Sequence, residues 1–298
     1  MATRADYLQL HFIVFLWGFS AILGKLVSIP TMEMIFFRAL LAAGGMAVVI
    51  KLSGGTFLVT KTDLIRLLLI GVIVALHWVA FFGSARISNV SVSLVGFATN
   101  SLWAAMLEPW FNRNKVKKFE LLLGLVVLLG LYVIFSFNFD YHAGLALGIL
   151  AGFTSALFSV FNARMVRRVP SLTITFYEMI GILLTLAATL PVYAYFTGSE
   201  LDLTPAPLDW LWIGLLAGVC SIYAYSVAVE LMKKVSVFLI QLTLNLEPVY
   251  GIIMAVLIFG QQERMDWNFY VGAIIILSAV ASYPYLKRKF DRPQEFVA

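Results

Sequence analysis

The run LTLNLEPVYG, at residues 242–251, places a carboxamide, a carboxylate and a proline within one helical turn of an otherwise apolar stretch. A charged side chain at the centre of a bilayer costs at least about 2.5 to 3.5 kcal/mol, so Glu247 needs a partner, a cavity or neutralisation. Pro248 lacks an N–H and frees nearby backbone oxygens, which predicts a helix kink. Glu247 and Asn245 therefore indicate a site for a cation, an ammonium group or a proton. The alternative is a buried carboxylic acid that bonds a neighbouring helix and shapes the kink.

A second ionisable group, Arg38, lies in the apolar run at residues 31–50. A guanidinium keeps its proton in a protein and presents several N–H donors, which suits it to bind the carboxylate of a solute. The alternative for Arg38 is a structural ion pair with Glu33. Glu178 lies 140 residues after Arg38, at a position that the internal repeat described below makes equivalent.

These groups must be positioned by membrane helices, because the composition excludes an ordinary soluble domain. Hydrophobic residues make up 61% of the 298 residues and charged residues only 12%, whereas soluble domains carry about 25% charged residues. The apolar runs are long and continuous, which favours helices of about 20 residues over the alternating strands of a barrel. Ten spans are predicted, at residues 7–28, 31–50, 64–85, 90–111, 119–137, 143–164, 172–196, 208–230, 236–260 and 269–286.

Lysine and arginine residues predict the orientation of these spans, since they concentrate in cytoplasmic loops. With a cytoplasmic N-terminus, that side collects most of them, including the clusters at residues 113–118, 164–168 and 287–292, against Lys25, Arg86 and Arg264 on the other side. Both termini are therefore predicted to be cytoplasmic. The net charge of +5 is explained by this topology, so we expect no nucleic-acid partner.

An internal repeat is indicated by two constant offsets in the residue numbers. Adding 148 moves spans three to five onto spans eight to ten without a gap, and adding 140 aligns Pro30 with Pro170. Five spans in each half is an odd number, so the second half must insert upside down, as in many secondary transporters. We predict an all-α integral membrane protein of ten transmembrane helices in two inverted five-helix repeats, residues 1–138 and 139–298.

Four runs resemble the EamA-type carriers of the drug/metabolite transporter superfamily. They are FLWGFSAILGKL at 15–26, MIFFRALLAAG at 34–44, SARISNVSVSLVGFATNSLWAAMLEP at 84–109 and NLEPVYGIIMAVLIFGQQERMDWNFYVGAIIIL at 245–277. The resemblance covers essentially the whole chain and implies ten helices, two inverted repeats and a central substrate cavity. Trp17 and Arg38 occupy positions that match the family pattern, and many members export amino acids, drugs or other small metabolites.

Further polar and aromatic residues fall on helix faces that could line such a cavity. His77 and Tyr225 coincide under the offset of 148. Residues three or four apart share a helix face, which groups Asn100 with Trp103, and Gln241 with Asn245 and Pro248. Polar residues beside tryptophan suit a pocket for an amphipathic solute, although such faces also occur in ordinary membrane-helix packing. Glu108, before Pro109, is expected to serve a helix end.

The leading interpretation is a secondary transporter in the bacterial inner membrane that exports an amino acid or related amphipathic solute by alternating access. Arg38 or nearby donors would bind the carboxylate, and Glu247 the ammonium group. A broad-specificity drug/metabolite or nucleotide-type facilitator is the alternative. The chain carries no HExxH, Gly-x-Ser-x-Gly or phosphate-cradling loop, so we expect no enzyme, cofactor or metal. A channel would need a ring or repeated filter of polar residues, and none is visible in the sequence.

The sequence does not determine the oligomeric state, and both a monomer and a homodimer are compatible with it.

Overall fold

Helices form the ordered elements of the computed structural model, which describes residues 2–135, 141–260 and 266–290. The predicted boundary between the two halves, at residues 138 and 139, lies outside the described residues. The helices are α1 (Arg4–Gly18), α2 (Ser20–Leu26), α3 (Thr31–Leu52), α4 (Lys61–Ile87), α5 (Val90–Phe97), α6 (Asn100–Asn112), α7 (Lys118–Phe135), α8 (His142–Met165), α9 (Ser171–Thr197), α10 (Pro207–Leu215), a π segment (Leu216–Tyr225), α11 (Ser226–Leu231), α12 (Val237–Leu244), α13 (Glu247–Phe259) and α14 (Trp267–Phe290).

Seven segments of the described chain are long and apolar enough to cross a membrane, by length and composition. They are Arg4–Leu26, Thr31–Leu52, Lys61–Ile87, Val90–Asn112, His142–Met165, Ser171–Thr197 and Pro207–Leu231. Helices α7, α12 to α13 and α14 overlap the three other predicted spans. The chain is thus a helical, multi-pass membrane protein, and the count of ten crossings stays a prediction.

The two halves of the sequence interlock instead of forming separate bodies. Helix α8 packs against α4, α5 and α6, helix α9 packs against α3 and α4, and α7 packs against α14. At the α4 and α9 crossing, a Cβ on Gly71 would lie 2.6 Å from the backbone oxygen of Glu178, so only glycine permits this approach. Large apolar side chains such as Leu69 and Leu184 are exposed on the outer faces. Exposed apolar surface of this kind is what a bilayer covers.

The first span is interrupted at Phe19, and two later spans, here called the two broken spans, are divided at nearly equivalent positions. Helices α5 and α6 are separated at Ala98 and Thr99, and helices α12 and α13 at Asn245 and Leu246. The amides at both breaks bond to carbonyls three residues earlier, as in a tight 3₁₀ turn. The offset of 148 moves the first break to within one residue of the second. Broken helices in paired positions are a device by which transporters build sites near the midplane.

The kink predicted at Pro248 takes the form of a complete helix break. Pro248 is the second residue of α13, in the first turn of that helix. Because the first amides of a helix have no partner within it, proline costs little there. The ninth predicted span is thus divided into α12 and α13, and Glu247 is the first residue of the second helix.

The eighth span contains a π segment, which the sequence did not indicate. Leu216–Tyr225 is wound with one extra residue per turn over ten residues, longer than the single-turn bulges in which π geometry usually occurs. Ser221 Oγ donates to the Leu216 carbonyl at 3.0 Å within this segment. Because π geometry concentrates at functional sites, its contacts are informative.

Glu108 fills the expected helix-end role, and it does so across the repeat boundary. Its two carboxylate oxygens accept hydrogen bonds from the amides of Val237 and Phe238, at 3.1 and 2.8 Å. These amides belong to the first turn of α12, where a negative charge is stabilised by the helix dipole. A side chain of α6 therefore caps a helix of the second half.

We expect Glu108→Ala to lower stability by about 1 to 2 kcal/mol, since both amides lose a charged acceptor. Thermal unfolding in detergent measures the effect. Glu200→Ala is the matched control, because it makes the same change at an exposed position. An unfolding temperature equal to that of the control would contradict the assigned cap.

Candidate functional site

A central cavity lies among the two broken spans, α3, α4, α8 and the π segment. Its volume is about 70 Å³, which is room for a few water molecules. The lining residues are Trp17, Ser20, Arg38, His77, Trp78, Phe81, Phe82, Phe97, Ser155, Phe158, Ser159, Cys220, Tyr225, Ala228, Val229, Met232, Ile240, Leu244 and Glu247. The wall is mainly aromatic and aliphatic, with one carboxyl group and one guanidinium.

Glu247 lines this cavity at the first turn of α13 and is only 3% exposed. Within the described chain, its carboxyl group forms no hydrogen bond and no ion pair. The position follows from a close crossing of α1 and α13, where a Cβ on Gly251 would lie 2.9 Å from the Gly18 carbonyl oxygen. Two glycines thus bring the start of α13 beside Trp17.

Arg38 is also 3% exposed and lines the same cavity. Its Nε donates to Ser221 Oγ at 2.9 Å, and its Cζ lies 3.7 Å from the centroid of the Trp78 ring. Stacking on tryptophan stabilises a cation by about 2 kcal/mol when it is desolvated. No carboxylate in the described part of the chain forms an ion pair with Arg38, so the alternative pairing with Glu33 is not found. Its two terminal nitrogens stay available for a ligand.

His77 contributes a polar edge to an aromatic wall. Its Nδ1 lies 2.8 Å from the Ala151 carbonyl oxygen. A carbonyl oxygen only accepts, so Nδ1 carries a proton, and in the neutral ring Nε2 is an acceptor. The ring packs against Phe81, Phe97 and Phe158. His77 can therefore accept one hydrogen bond from a bound solute.

Trp17 and Tyr225 both connect the cavity to the π segment. Trp17 Nε1 donates to the Cys220 carbonyl oxygen at 3.0 Å. Tyr225 is the last residue of the π segment, and its hydroxyl donates to Glu178 Oε2 at 2.7 Å. With the bond between Arg38 and Ser221, two lining residues, Trp17 and Arg38, are held by this segment, and a third, Tyr225, belongs to it.

A basic vestibule adjoins the cavity at one end of the bundle. It has a volume of about 680 Å³, and its lining includes Arg164, Arg167, Lys233 and Lys234. We call this the basic end. Met232 lines both the vestibule and the central cavity, so the two spaces meet at its side chain.

Polar contacts join helix ends at the opposite end of the bundle. Arg86 donates from its guanidinium to the carbonyl oxygens of Gly24, Val27 and Ile29, at 2.6 to 3.1 Å. Asp209 accepts from the amide and hydroxyl of Ser28, at 2.8 and 2.6 Å. These bonds join the end of α2 to the ends of α4 and α10.

Comparison with known proteins identifies the family. The model of the EamA-like transporter family matches residues 7–136 and again residues 142–283. The chain belongs to the EamA-like transporter family. It is therefore a membrane transporter of small solutes.

A solved structure described only as "Crystal structure of protein" shares the fold of this EamA-like transporter. The two are 15% identical with a TM-score of 0.73, and the comparison covers 98% of this chain and 100% of the other. No curated protein matches the chain. At this identity the structural likeness concerns the fold alone.

Some residues predicted for the site of this EamA-like transporter lie outside the cavity lining. Gln241 bonds to Ser155 and Ser159, at 2.8 to 3.3 Å, and so it holds two lining serines without lining the cavity itself. Asn245 Nδ2 donates to Ser101 Oγ at 2.8 Å, between the two broken spans. Both side chains are buried. Asn245 lies two residues before Glu247, and residues two apart do not share a helix face.

Asn100 and Trp103, predicted as a lining pair, are directed elsewhere in the EamA-like transporter. Neither lines the cavity. Trp103 packs edge to face on Phe153, with ring centroids 5.2 Å apart, and Asn100 begins α6 just after the break at Thr99. Both side-chain atoms of Asn100 and Nε1 of Trp103 are buried without a hydrogen-bond partner among the described residues. Sequence spacing grouped these two residues but did not show which way their side chains point.

Ser155 and Ser159 of α8 line the cavity but were not predicted. They lie four residues apart, and Asn162 follows three residues later on the same side of the helix. This polar stripe in an apolar span was a usable signal. It was missed because no charge marks it.

Proposed function

We propose that this EamA-like transporter exports an amino acid or a closely related zwitterionic, amphipathic solute by alternating access. One observation carries the proposal. Glu247 and Arg38 line the same cavity, have opposite formal charges, and have no ionic partner in the described chain.

Electrostatics favours a zwitterionic solute in this cavity. A buried ionised group is costly unless a partner of opposite charge and hydrogen bonds compensate it. An amino acid brings both partners at once, an ammonium group for Glu247 and a carboxylate for Arg38. The aromatic wall formed by Trp78, Phe82 and Phe158 would take an apolar side chain.

The alternatives fit the cavity less well. A nucleotide-type solute carries several phosphate charges, whereas Arg38 is the one cationic residue among the lining residues. An uncharged drug would leave both Arg38 and Glu247 without partners, at a cost in binding free energy. A zwitterion is the class that satisfies both.

The wider architecture proposed is ten spans in two inverted repeats, residues 1–138 and 139–298, in the bacterial inner membrane with both termini cytoplasmic. Matching breaks in the two halves support the repeat. The positive-inside rule supports a cytoplasmic basic end. The vestibule would then admit solute from the cytoplasm, which is the direction that export requires. The small cavity volume fits a state in which a bound solute needs wall movement before release.

Counterflow in proteoliposomes tests the proposal. Vesicles loaded with unlabelled L-leucine should take up tritiated L-leucine through the wild-type protein, with saturation kinetics. Added leucine should inhibit this uptake more strongly than isoamylamine or isocaproate does. Isoamylamine lacks the carboxylate and isocaproate lacks the ammonium group.

Two outcomes would end the amino-acid assignment. One is an absence of counterflow across the neutral amino acids in protein whose unfolding temperature shows a folded state. The other is equal inhibition by leucine and by isoamylamine, which would assign no role to the carboxylate. Linear, unsaturable flux would favour a channel over a carrier.

Met232→Trp is expected to reduce counterflow at least about tenfold while leaving the unfolding temperature near that of wild type. The indole is larger than the thioether and would fill the junction between vestibule and cavity, where Met232 faces both spaces. Met232→Leu, similar in volume, is the control. Flux of the tryptophan variant equal to that of the leucine variant would show that solute does not pass this junction.

A further inference from the structure

A second buried carboxyl group lies behind the cavity wall. Glu178 of α9 has no exposed surface. Its Oε2 accepts a hydrogen bond from the Tyr225 hydroxyl at 2.7 Å and a longer one from Asn162 Nδ2 at 3.4 Å. Asn162 Nδ2 also donates to the Tyr225 hydroxyl oxygen at 3.0 Å. We call Glu178, Tyr225 and Asn162 the acid cluster.

The acid cluster lacks one hydrogen-bond donor. Glu178 Oε1 and Asn162 Oδ1 are buried without a partner among the described residues. Both atoms are acceptors, so the cluster lacks a donor. A proton on Glu178 supplies one, because it turns an acceptor oxygen into a hydroxyl. It also removes a buried charge that has no counter-ion.

Several charged and titratable groups lie on the helices around Glu178, and they bond to other partners or face the cavity. On α3, Arg38 stacks on Trp78, and on α4, His77 bonds to Ala151. At the basic end, Asp63 of α4 pairs with Arg168, and Glu230 of α11 pairs with Lys233. Two further titratable groups on these elements are Tyr177 of α9, whose hydroxyl donates to the Phe57 carbonyl, and Cys220 of the π segment, which lines the cavity. No cation in the described chain forms an ion pair with Glu178.

The acid cluster is connected to the solute cavity through one side chain. Tyr225 lines the cavity and bonds to Glu178. It also ends the π segment, which holds Trp17 through Cys220 and Arg38 through Ser221. A change in the hydrogen bond between Tyr225 and Glu178 therefore acts on the π segment, which contacts residues of the proposed solute site. Glu178 and Arg38 also occupy positions related by the offset of 140.

We propose that Glu178 is the proton-binding site of a proton-coupled transport cycle. In each cycle the carboxylate takes up one proton from water to form a carboxylic acid, with a new O–H bond at Oε1, and returns it to water on the other side. Binding and release alter the hydrogen bond to Tyr225 and so couple protonation to the π segment. The coupling role rests on the proposed transport function, whereas the proton site does not.

Infrared difference spectroscopy tests the proton site without any solute. Wild-type protein in lipid should show the carbonyl band of a protonated carboxylic acid that shifts in heavy water and disappears as pH rises. Glu178→Gln should lose this band, and Ser226→Ala should keep it. Ser226 is a suitable control because its hydroxyl bonds to Thr175 in the same region and not to Glu178.

Two spectral outcomes would contradict the proton site. A band that persists unchanged in Glu178→Gln would assign the protonated acid to another group, such as Glu247, and overturn the proposal. Tyr225→Phe gives a second test if the glutamine variant does not fold. Loss of the hydroxyl donor should shift the frequency of the acid carbonyl band, since that donor bonds to Glu178 Oε2. An unchanged frequency would also overturn the proposal.

Transport then tests the coupling. Glu178→Gln should retain leucine counterflow within about twofold of Ser226→Ala but lose accumulation driven by a pH gradient. Accumulation that is equally pH-driven in the glutamine variant overturns the coupling role, and so does accumulation that follows a sodium gradient. Failure of the proposed function looks different, because wild-type protein would then show no leucine counterflow while the infrared result stands.

Discussion

Glu247→Gln is expected to weaken L-leucine binding at least about tenfold and to leave isocaproate binding within about twofold of wild type. Glutamine keeps the size of the side chain but removes its charge, so the ammonium group of leucine loses its partner in a site shielded from water. Tenfold corresponds to about 1.4 kcal/mol, and losing one partner of a buried charge pair costs about 2 to 5 kcal/mol. Isocaproate lacks the ammonium group, so its affinity should not depend on the charge of residue 247.

Equilibrium binding in detergent, with tritiated leucine and competition by isocaproate, measures both numbers. Glu200→Gln serves as the control, because it makes the same chemical change at an exposed position. Equal losses for leucine and isocaproate would mean that the substitution disturbs the cavity as a whole. An unchanged affinity for leucine would mean that Glu247 is a structural acid, the alternative raised by the sequence alone.

The helical membrane fold could be predicted from sequence because the bilayer imposes a simple pattern. Backbone groups in hydrocarbon must bond within their own helix, so each span leaves a long apolar run. Glu247 and Arg38 could be found for the same reason, since a charge in such a run is costly and rare. Sequence analysis was therefore most informative about charged side chains in apolar spans, because these cost the most free energy in a bilayer.

Which face of each helix lines the cavity could not be predicted from spacing alone. Spacing of 3.6 residues per turn groups residues on one face but does not say where that face points. In the ninth predicted span it grouped Gln241 with Asn245, whereas the lining face is that of Ile240, Leu244 and Glu247. The π segment adds a residue per turn without a mark in its composition. Its contacts with Trp17, Arg38 and Glu178 could be found only in three dimensions.

The complementary prediction concerns Arg38. Arg38→Lys is expected to weaken leucine binding about tenfold or more while changing isoamylamine binding by less than about twofold. Lysine keeps the positive charge but presents a single ammonium group, whereas the guanidinium bonds to Ser221 through Nε and keeps two terminal nitrogens for a carboxylate. Isoamylamine has no carboxylate and should not distinguish the two residues. A large loss for isoamylamine would instead indicate collapse of the stacking on Trp78.

Combining the two substitutions separates a solute site from an internal ion pair. If Arg38 and Glu247 served chiefly to neutralise each other, each single change would leave an uncompensated charge, and the double variant Arg38→Gln with Glu247→Gln would be more stable than either single variant. If they serve opposite ends of one solute, the double variant should lose leucine binding and gain no stability from the second change. Unfolding temperatures and leucine binding for the four proteins of this cycle decide between these two roles, because the coupling energy for stability differs from zero only for an internal ion pair.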